Sequence, residues 1–349
     1  MFTAKPRRRR VVASLAAVST LLVACSGGGA SNVFGGDTDG EPETTLIVLA
    51  YAAAEPGWSK VVAAFADTPA GDGVAVKTSY GPSGDQAGAV LDGKPADIVN
   101  FSIEPEITRL AEAGKVAPEW DADVTRGVPF GSVVTLVVRD GNPKKIRDWD
   151  DLLTPGVEVV TPSPLSSGSA RWNLLAPYAA KSEGGRNRQA GLDFITALVK
   201  NHIKTLPGSG PEATEIFLQG TGDVLITFEN EAIQIERQAA AGGRADFEYV
   251  NPPQTLEVDN PVAVVASSPY VDKATALKNF LFTPVGQTIW ARAGFRPVDP
   301  AVADAFANVF PSPERLWTIA DLGGWGTVQP SLFDKDHGAI TTIYREATG

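Results

Sequence analysis

The chain has 349 residues, of which 43% are hydrophobic and 20% charged, and its formal net charge is −11. This composition is typical of a globular protein. The acidic balance argues against a nucleic-acid-binding protein, which needs a basic surface. A single cysteine excludes an intrachain disulfide, so the folded part must be held together by core packing.

The N-terminus has the pattern of a secretory signal. Arg7, Arg8, Arg9 and Arg10 precede the apolar run Val11–Ala24, which is shorter than the roughly 20 residues of a membrane-spanning helix. The run ends in the lipobox-like Leu22-Val23-Ala24-Cys25. We therefore expect residues 1–24 to be removed as a signal peptide and Cys25 to be lipidated. The arginines leave open whether export follows the general or the twin-arginine route.

Residues 26–43 are rich in Gly, Ser, Asp and Thr and predict a flexible tether between the lipidated Cys25 and the folded part. The protein would then be extracytoplasmic and anchored to the cell membrane. Removal of residues 1–24 deletes five basic residues and no acidic one, so the net charge becomes −16. An anion site in such a protein must rely on short-range donors, because long-range fields are screened beyond roughly 10 Å.

From residue 44 onward, short apolar runs alternate with stretches of helical periodicity. The predicted strands are Thr45–Tyr51, Val74–Tyr80, Asp97–Phe101, Val133–Val138, Val157–Val160, Val224–Phe228 and Pro261–Ser267. The predicted helices are Trp58–Phe65, Gly84–Leu91, Trp172–Tyr178, Gln189–Val199, Pro211–Leu218, Ala232–Ala241, Lys273–Phe282, Val285–Ala293, Val302–Val309 and Ile340–Glu346. This order predicts an α/β fold with parallel-type sheets flanked by helices.

Four turns rich in small residues lie where predicted helices begin: Tyr51–Ala54, Ser79–Gln86, Thr161–Trp172 and Gly208–Pro211. The first N–H groups of a helix have no partner inside it and can bind an anion. Ligands of open α/β sheets bind at the carboxyl ends of strands, where such turns lie. Each turn by itself is more often an ordinary helix cap, so the pattern indicates an anion site only when the four turns are taken together with the sequence that surrounds them.

The surrounding sequence resembles the sulfate-binding proteins of bacterial sulfate and thiosulfate importers. The resemblance covers roughly residues 45–344. It is carried by Asn142–Leu152, Pro155–Pro162 and Ser166–Asn173, and by further matches at Ser83–Ala87, Ala96–Val99, Gly222–Ala232 and Gly323–Trp325.

This resemblance implies a desolvated dianion held by uncharged donors. The donors would be the hydroxyls of Ser83 and Ser167 and the backbone N–H groups of Ala52, Gly168, Ser169 and Gly210. The family carries a tryptophan where Phe228 stands, so one side-chain donor would be missing here. Asp85 should point away from the anion, because a sulfate site should offer donors only. We interpret Glu229, Glu231 and Glu236 as a solvated helix face, and the two histidines as surface residues.

The family also implies a periplasmic-binding-protein fold of the second type, with two lobes joined by two crossovers. Residues 44–128 and 262–349 would form the first lobe, and residues 129–261 the second. We expect a monomer that delivers sulfate to the membrane and ATPase subunits of an ABC importer. We expect no nucleic-acid partner, no cofactor, no metal and no catalytic residue.

Three alternatives remain open at this point. The ligand could be thiosulfate, molybdate or phosphate instead of sulfate. The chain could be a secreted hydrolase with Ser83 or Ser167 as nucleophile, but no Gly-x-Ser-x-Gly motif is present and only two histidines are available as a base. It could also be an adhesin or sensor that has lost transport.

Overall fold

The structure is a computed structural model and describes residues 32–33, 43–242 and 247–348. Residues 1–31, which include the predicted signal and Cys25, lie outside this range, as does most of the predicted tether. No helix in the part of the chain that the structure describes is long and apolar enough to cross a membrane.

The first third of the chain alternates strand and helix. Its elements are β1 (Asn32–Val33), β2 (Thr44–Tyr51), α1 (Glu55–Ala66), β3 (Val74–Gly81), α2 (Ser83–Leu91), β4 (Ile98–Asn100) and α3 (Glu104–Glu112). A short 3₁₀ turn at Ala52–Ala54 connects β2 to α1. Helix α3 was not predicted from the sequence.

The middle of the chain contains most of the second sheet. Its elements are β5 (Phe130–Arg139), β6 (Val159–Val160), α4 (Gly168–Lys181), α5 (Arg188–Asn201), α6 (Gly210–Leu218), β7 (Val224–Phe228), α7 (Glu229–Ala241), β8 (Phe247–Val250) and β9 (Gln254–Asp259). A 3₁₀ turn at Trp149–Leu153 precedes β6. The predicted strands and helices of this region are all present, and β8 and β9 are additional.

The last part of the chain returns to the first sheet and then leaves it. Its elements are β10 (Val262–Val264), α8 (Val271–Phe280), α9 (Pro284–Arg292), β11 (Arg296–Pro297), α10 (Pro300–Ala305), β12 (Arg315–Trp317), α11 (Trp325–Val328) and α12 (Ala339–Thr348). A π-helical turn follows α11 at Gln329–Phe333.

The first sheet has the strand order β1-β3-β2-β4-β10. Strand β2 lies parallel to β3 and β4, whereas β1 and β10 run antiparallel to their neighbours. Along β2, Leu46, Val48 and Ala50 pack into one apolar cluster and Leu49 into the cluster on the opposite face. Burial on both faces explains why this strand is almost wholly apolar.

The second sheet has the order β12-β9-β5-β7-β6, with β8 and β11 also paired to β5. Strand β5 runs antiparallel to β7, β8, β9 and β11, while β6 is parallel to β7 and β12 to β9. The α/β class with two helix-flanked sheets is confirmed. Both sheets, however, are mixed and not of the parallel type that was predicted, since β1 and β10 are antiparallel in the first sheet and β5 is antiparallel in the second.

The C-terminal segment differs from its predicted placement. Strand β12 extends the second sheet, and Trp317, Trp325, Phe333 and Tyr344 fill the core of that sheet. The ring of Trp325 packs edge-on against Trp172 of α4, with centroids 4.9 Å apart. Residues 315–348 therefore pack with the second sheet, not the first. The chain consequently passes between the sheets three times: after β4, after β9 and between α9 and β12.

Candidate functional site

A small pocket lies where the two sheets meet, and the predicted anion-binding turns surround it. Its lining residues are Tyr51, Ala52, Ala53, Gly81, Pro82, Ser83, Ser102, Ser167, Gly168, Ser169, Ser209, Gly210, Pro211 and Glu231. They come from both sheets. The pocket is therefore formed only when the two halves of the molecule are brought together.

The first sheet contributes residues that follow three adjacent parallel strands. Ala52 follows β2, Ser83 follows β3, and Ser102 follows β4. The Oγ of Ser83 accepts the backbone N–H of Ser102 at 3.0 Å and lies 2.9 Å from the Ser102 Oγ. Parallel strands end at the same edge of a sheet, which explains how residues 50 positions apart in sequence meet here.

The second half contributes the beginnings of α4 and α6. Ser167 occupies the N-cap position of α4, and Gly168 and Ser169 are the first two residues of that helix. The hydroxyls of Ser167 and Ser169 lie 2.8 Å apart. Gly210 is the first residue of α6 and lies beside Ser169, since an added Cβ at Gly210 would be 3.3 Å from the Ser169 Oγ.

Three of the four chain segments that begin at the pocket have no side-chain cap: the 3₁₀ turn that leads into α1, helix α2 and helix α4. Only α6 has one, because Ser209 Oγ accepts the N–H of Glu212 at 3.3 Å. The first N–H groups of an uncapped helix remain available to an external acceptor, and the helix dipole adds partial positive charge there. The pocket therefore presents several neutral donors to an anion.

The two halves of the site meet at a close approach between Ser102 and Gly168. The indole Nε1 of Trp172 donates to the carbonyl oxygen of Ser102 at 2.5 Å. A Cβ added to Gly168 would lie 2.7 Å from the Ser102 Oγ and 3.2 Å from Ile103. A Cβ at residue 168 would require the Ser102 side chain to shift, so glycine at this position lets the first turn of α4 approach the end of β4 closely.

No lysine, arginine or histidine is among the pocket-lining residues, all of which the structure describes. The arginine nearest in sequence, Arg171, is directed elsewhere, since it donates to Gln329 Oε1 at 3.1 Å. Asp85 is exposed in the first turn of α2 and does not line the pocket, as predicted.

Glu231 is the one carboxylate in the pocket lining, and it corrects two expectations. It is 8% exposed, whereas a solvated helix face was predicted for Glu229, Glu231 and Glu236. Its Oε2 accepts the Thr227 hydroxyl at 2.7 Å, and its carboxylate accepts the N–H of Phe228. Burial raises the pKa of Glu231 above the ordinary glutamate value, although these two hydrogen bonds act in the opposite direction. The pocket is therefore not made of donors alone.

Glu229 was likewise placed wrongly on a solvated face. It is fully buried and forms an ion pair with Arg296, with Nε to Oε2 at 2.6 Å and Nη2 to Oε1 at 2.9 Å. His202, expected at the surface, is also buried, and its Nδ1 lies 2.9 Å from the carbonyl oxygen of Val157.

Of the seven residues predicted for the site, the structure brings six together around the pocket: Ala52, Ser83, Ser167, Gly168, Ser169 and Gly210. The seventh, Phe228, does not line it. Its ring is fully buried in the core of the second sheet. Only its backbone N–H lies near the site, where it contacts Glu231.

Ser102 and Glu231 were not predicted as site residues, whereas Tyr51 and Ser209 lie within two of the four predicted turns. Ser102 had a detectable signal, because it directly follows the predicted strand Asp97–Phe101 and so lies at a carboxyl end. Glu231 had no detectable signal in the sequence, because two more glutamates lie within five residues of it. Only the packing of α7 distinguishes the three glutamates.

The comparisons with known proteins agree with this geometry. The family described as bacterial extracellular solute-binding protein matches residues 46–296. A sulfate-binding protein of Synechococcus elongatus is 38% identical over 322 residues, 89% of each chain. A thiosulfate-binding protein of Pseudomonas aeruginosa is 36% identical, over 78% of this chain and 83% of its own.

Among solved structures, the sulfate-binding protein SubI from Mycobacterium tuberculosis H37Rv is 63% identical, with a TM-score of 0.81. The match covers 84% of this chain and all of that one. The chain therefore belongs to the bacterial extracellular solute-binding proteins, in the group that contains the sulfate-binding proteins.

Proposed function

We propose that this protein captures sulfate outside the cytoplasm and delivers it to an ABC-type importer. Sulfate would lie in the pocket between the two sheets, held by the hydroxyls of Ser83 and Ser167 and by backbone N–H groups of Ala52, Gly168, Ser169 and Gly210. The chain's close relatives include proteins named for sulfate and thiosulfate binding, which supports this ligand class.

One observation carries the proposal: uncapped helix starts from both halves of the molecule converge on a pocket that contains no cationic side chain. Sulfate carries its two negative charges at any pH near neutral and cannot donate a hydrogen bond. A set of neutral donors satisfies its four oxygens, and each such bond contributes about 1.5–3 kcal/mol.

Phosphate is the second candidate, and Glu231 is the observation that favours it. Near neutral pH phosphate keeps a proton part of the time, with a relevant pKa of about 6. A carboxylate in the pocket lining could accept a hydrogen bond from that proton. Thiosulfate differs from sulfate in one atom and is not distinguished from it by the lining residues.

Isothermal titration calorimetry on the chain that begins after Cys25 decides between these ligands. Sulfate, thiosulfate, molybdate and phosphate would be titrated separately at one pH and ionic strength. We expect sulfate or thiosulfate to bind at micromolar concentration or tighter, and phosphate at least tenfold more weakly. Tighter binding of phosphate would contradict the proposal.

The lobes would close on the anion by a hinge motion, because contacts from both sheets exist only when the pocket is assembled. Residues 44–128, together with the later segment of the chain that returns to the first sheet, would move as one lobe. The second sheet and residues 315–348 would move as the other lobe. Closure without catalysis agrees with the serine contacts in the structure. Ser83 and Ser167 contact other serines, and neither contacts one of the two histidines.

We further propose that a lipid on Cys25 anchors the protein to the membrane. Replacement of Cys25 by serine should release the protein from the membrane fraction into the soluble fraction in the native host. Retention of the Cys25→Ser chain in the membrane would contradict the anchor but not the proposed ligand.

A further inference from the structure

A dianion and a buried carboxylate share the proposed sulfate site. Glu231 lines the pocket, and its Oε1 lies 3.4 Å from the position of an added Cβ on Gly210, the first residue of α6. Two charges of the same sign in a poorly solvated pocket repel each other strongly, with no cation between them to reduce the cost. The site must therefore resolve a conflict that neutral donors alone would not create.

The groups that face Glu231 do not supply a compensating positive charge. Thr227 and the N–H of Phe228 donate to it from β7, and Tyr51 at the end of β2 is its phenolic neighbour across the pocket. The hydroxyl of Tyr51 is occupied with Asn260 Oδ1.

A second groove shares Glu231 and lies against the anion pocket. The ionisable residues in its lining are all acidic: Glu55 of α1, Glu215 of α6 and Glu231 itself. On β8, which also packs against α7, Glu248 and the backbone of Tyr249 act on Glu236 and not on Glu231. Among the described residues lining the pocket or this groove, none is a lysine, arginine or histidine.

We propose that Glu231 is a ligand-binding residue that carries a proton when the oxyanion is bound, so that capture of the dianion is accompanied by uptake of one proton. This inference rests on the proposed function. The proton comes from solvent and bonds to Oε1, while Oε2 keeps its hydrogen bond from Thr227. A neutral carboxyl then adds one more uncharged donor to the site, in place of a repulsive charge.

The burial of Glu231 supports this assignment. Desolvation already raises the pKa of its carboxyl in the absence of ligand, and a nearby dianion raises it further. The ligand-bound state therefore holds the proton more tightly than the free state. By linkage, affinity for sulfate is highest at low pH and falls as pH rises above the pKa of the free protein, by up to about tenfold per pH unit.

Calorimetry with sulfate between pH 5.5 and 8.5, in two buffers of different ionisation enthalpy, tests the inference. Sulfate does not titrate in this range, so any proton taken up binds to the protein. We expect weaker binding at higher pH and an uptake that approaches one proton. Glu231→Gln should bind sulfate more tightly than the unmodified chain at pH 8.5, with no net proton uptake. Sulfate affinity that is independent of pH, or proton uptake that persists in Glu231→Gln, would overturn the inference.

Two further variants complete the design. Glu215→Gln is the matched control, because Glu215 lines only the neighbouring groove; it should behave like the unmodified chain. Thr227→Val removes a hydrogen bond that favours the ionised form of Glu231. It should therefore shift the pH range over which sulfate affinity falls to higher pH. If Glu231→Gln fails to fold, a Thr227→Val variant whose sulfate affinity falls over the same pH range as that of the unmodified chain would count against the inference. Absence of sulfate binding by the unmodified chain at every pH would overturn the proposed function as well, whereas pH-independent binding would overturn the proton uptake alone.

Discussion

The indole of Trp172 donates to the carbonyl oxygen of Ser102 at 2.5 Å, and this bond joins helix α4 to the edge of the first sheet. Ser102 lies two residues after the end of β4, and Trp172 is the fifth residue of α4. Because α4 begins at the pocket, this contact positions Gly168 and Ser169 relative to Ser83.

Gly168→Ala should weaken sulfate binding without unfolding either half. The added methyl group would lie 2.7 Å from the Ser102 Oγ, so the assembled pocket must open slightly. Overpacking of this kind costs about 1–3 kcal/mol, which corresponds to roughly 5- to 150-fold in affinity. Gly88→Ala in the middle of α2 is the control, because an added Cβ there would make only an ordinary contact, 4.0 Å from the Arg109 Nη2. Equal affinity in both variants, measured by calorimetry, would contradict the predicted role of Gly168.

Ser167→Ala and Ser83→Ala should both bind sulfate about tenfold more weakly or worse, because each loses a hydroxyl donor to a charged acceptor. They should differ in stability. Ser83 Oγ also accepts the Ser102 N–H, which would be left unpaired in a buried position at a cost of about 1–3 kcal/mol. Ser167 Oγ contacts only the Ser169 hydroxyl.

Chemical denaturation and calorimetry measured on the same preparations separate the two effects. Ser331→Ala is the control, since its exposed hydroxyl donates to the Thr327 carbonyl far from the pocket residues in sequence. Unchanged affinity in both pocket variants would place the anion elsewhere.

Arg296→Met should destabilise the protein by about 3–5 kcal/mol, because it leaves the fully buried Glu229 carboxylate without its cation. Adding Glu229→Gln to that variant should restore much of the loss, since the buried charge is then gone. The exposed pair Arg186–Glu183 is the matched control, and Arg186→Ala should cost less than about 1 kcal/mol. Urea denaturation measures all four chains. A loss below 1 kcal/mol for Arg296→Met would show that water reaches Glu229.

The stability of the ligand-free protein should carry a pH signature of Glu231. Burial raises its pKa in the folded state, so the folded chain binds this proton more tightly than the unfolded chain. Its contribution to stability is therefore most favourable below the ordinary glutamate pKa of about 4.3 and is lost as pH rises through the folded value. Glu231→Gln should be more stable than the unmodified chain near neutral pH, and the difference should shrink toward pH 4. A difference that is constant with pH would show that Glu231 does not titrate differently in the folded state.

Local patterns in the sequence predicted most of the elements, because burial on one or both faces of a strand or helix leaves a periodic trace. The runs at Thr45–Tyr51 and Val224–Phe228 became β2 and β7, and the spacing of Trp58, Val61, Val62 and Phe65 became the buried face of α1. The short strand β12 and helix α3 were missed, because an element of three residues, or one with only two buried apolar residues, has too little periodicity to detect.

The four turns that contain the proposed donors were visible in the sequence, since glycine and serine are frequent where helices begin, and the resemblance to the sulfate-binding proteins selected the individual residues within them. Ser83, Ser167, Gly168 and Gly210 all occupy such positions. Only the tertiary structure decided which other groups lie beside these residues. Strand order brings Ser102 to Ser83, and the packing of α7 places Glu231 in the pocket while Glu229 pairs with Arg296. Packing against α4 and α5 likewise places residues 315–348 on the second sheet. Burial depends on contacts between distant segments, and no local pattern records those partners.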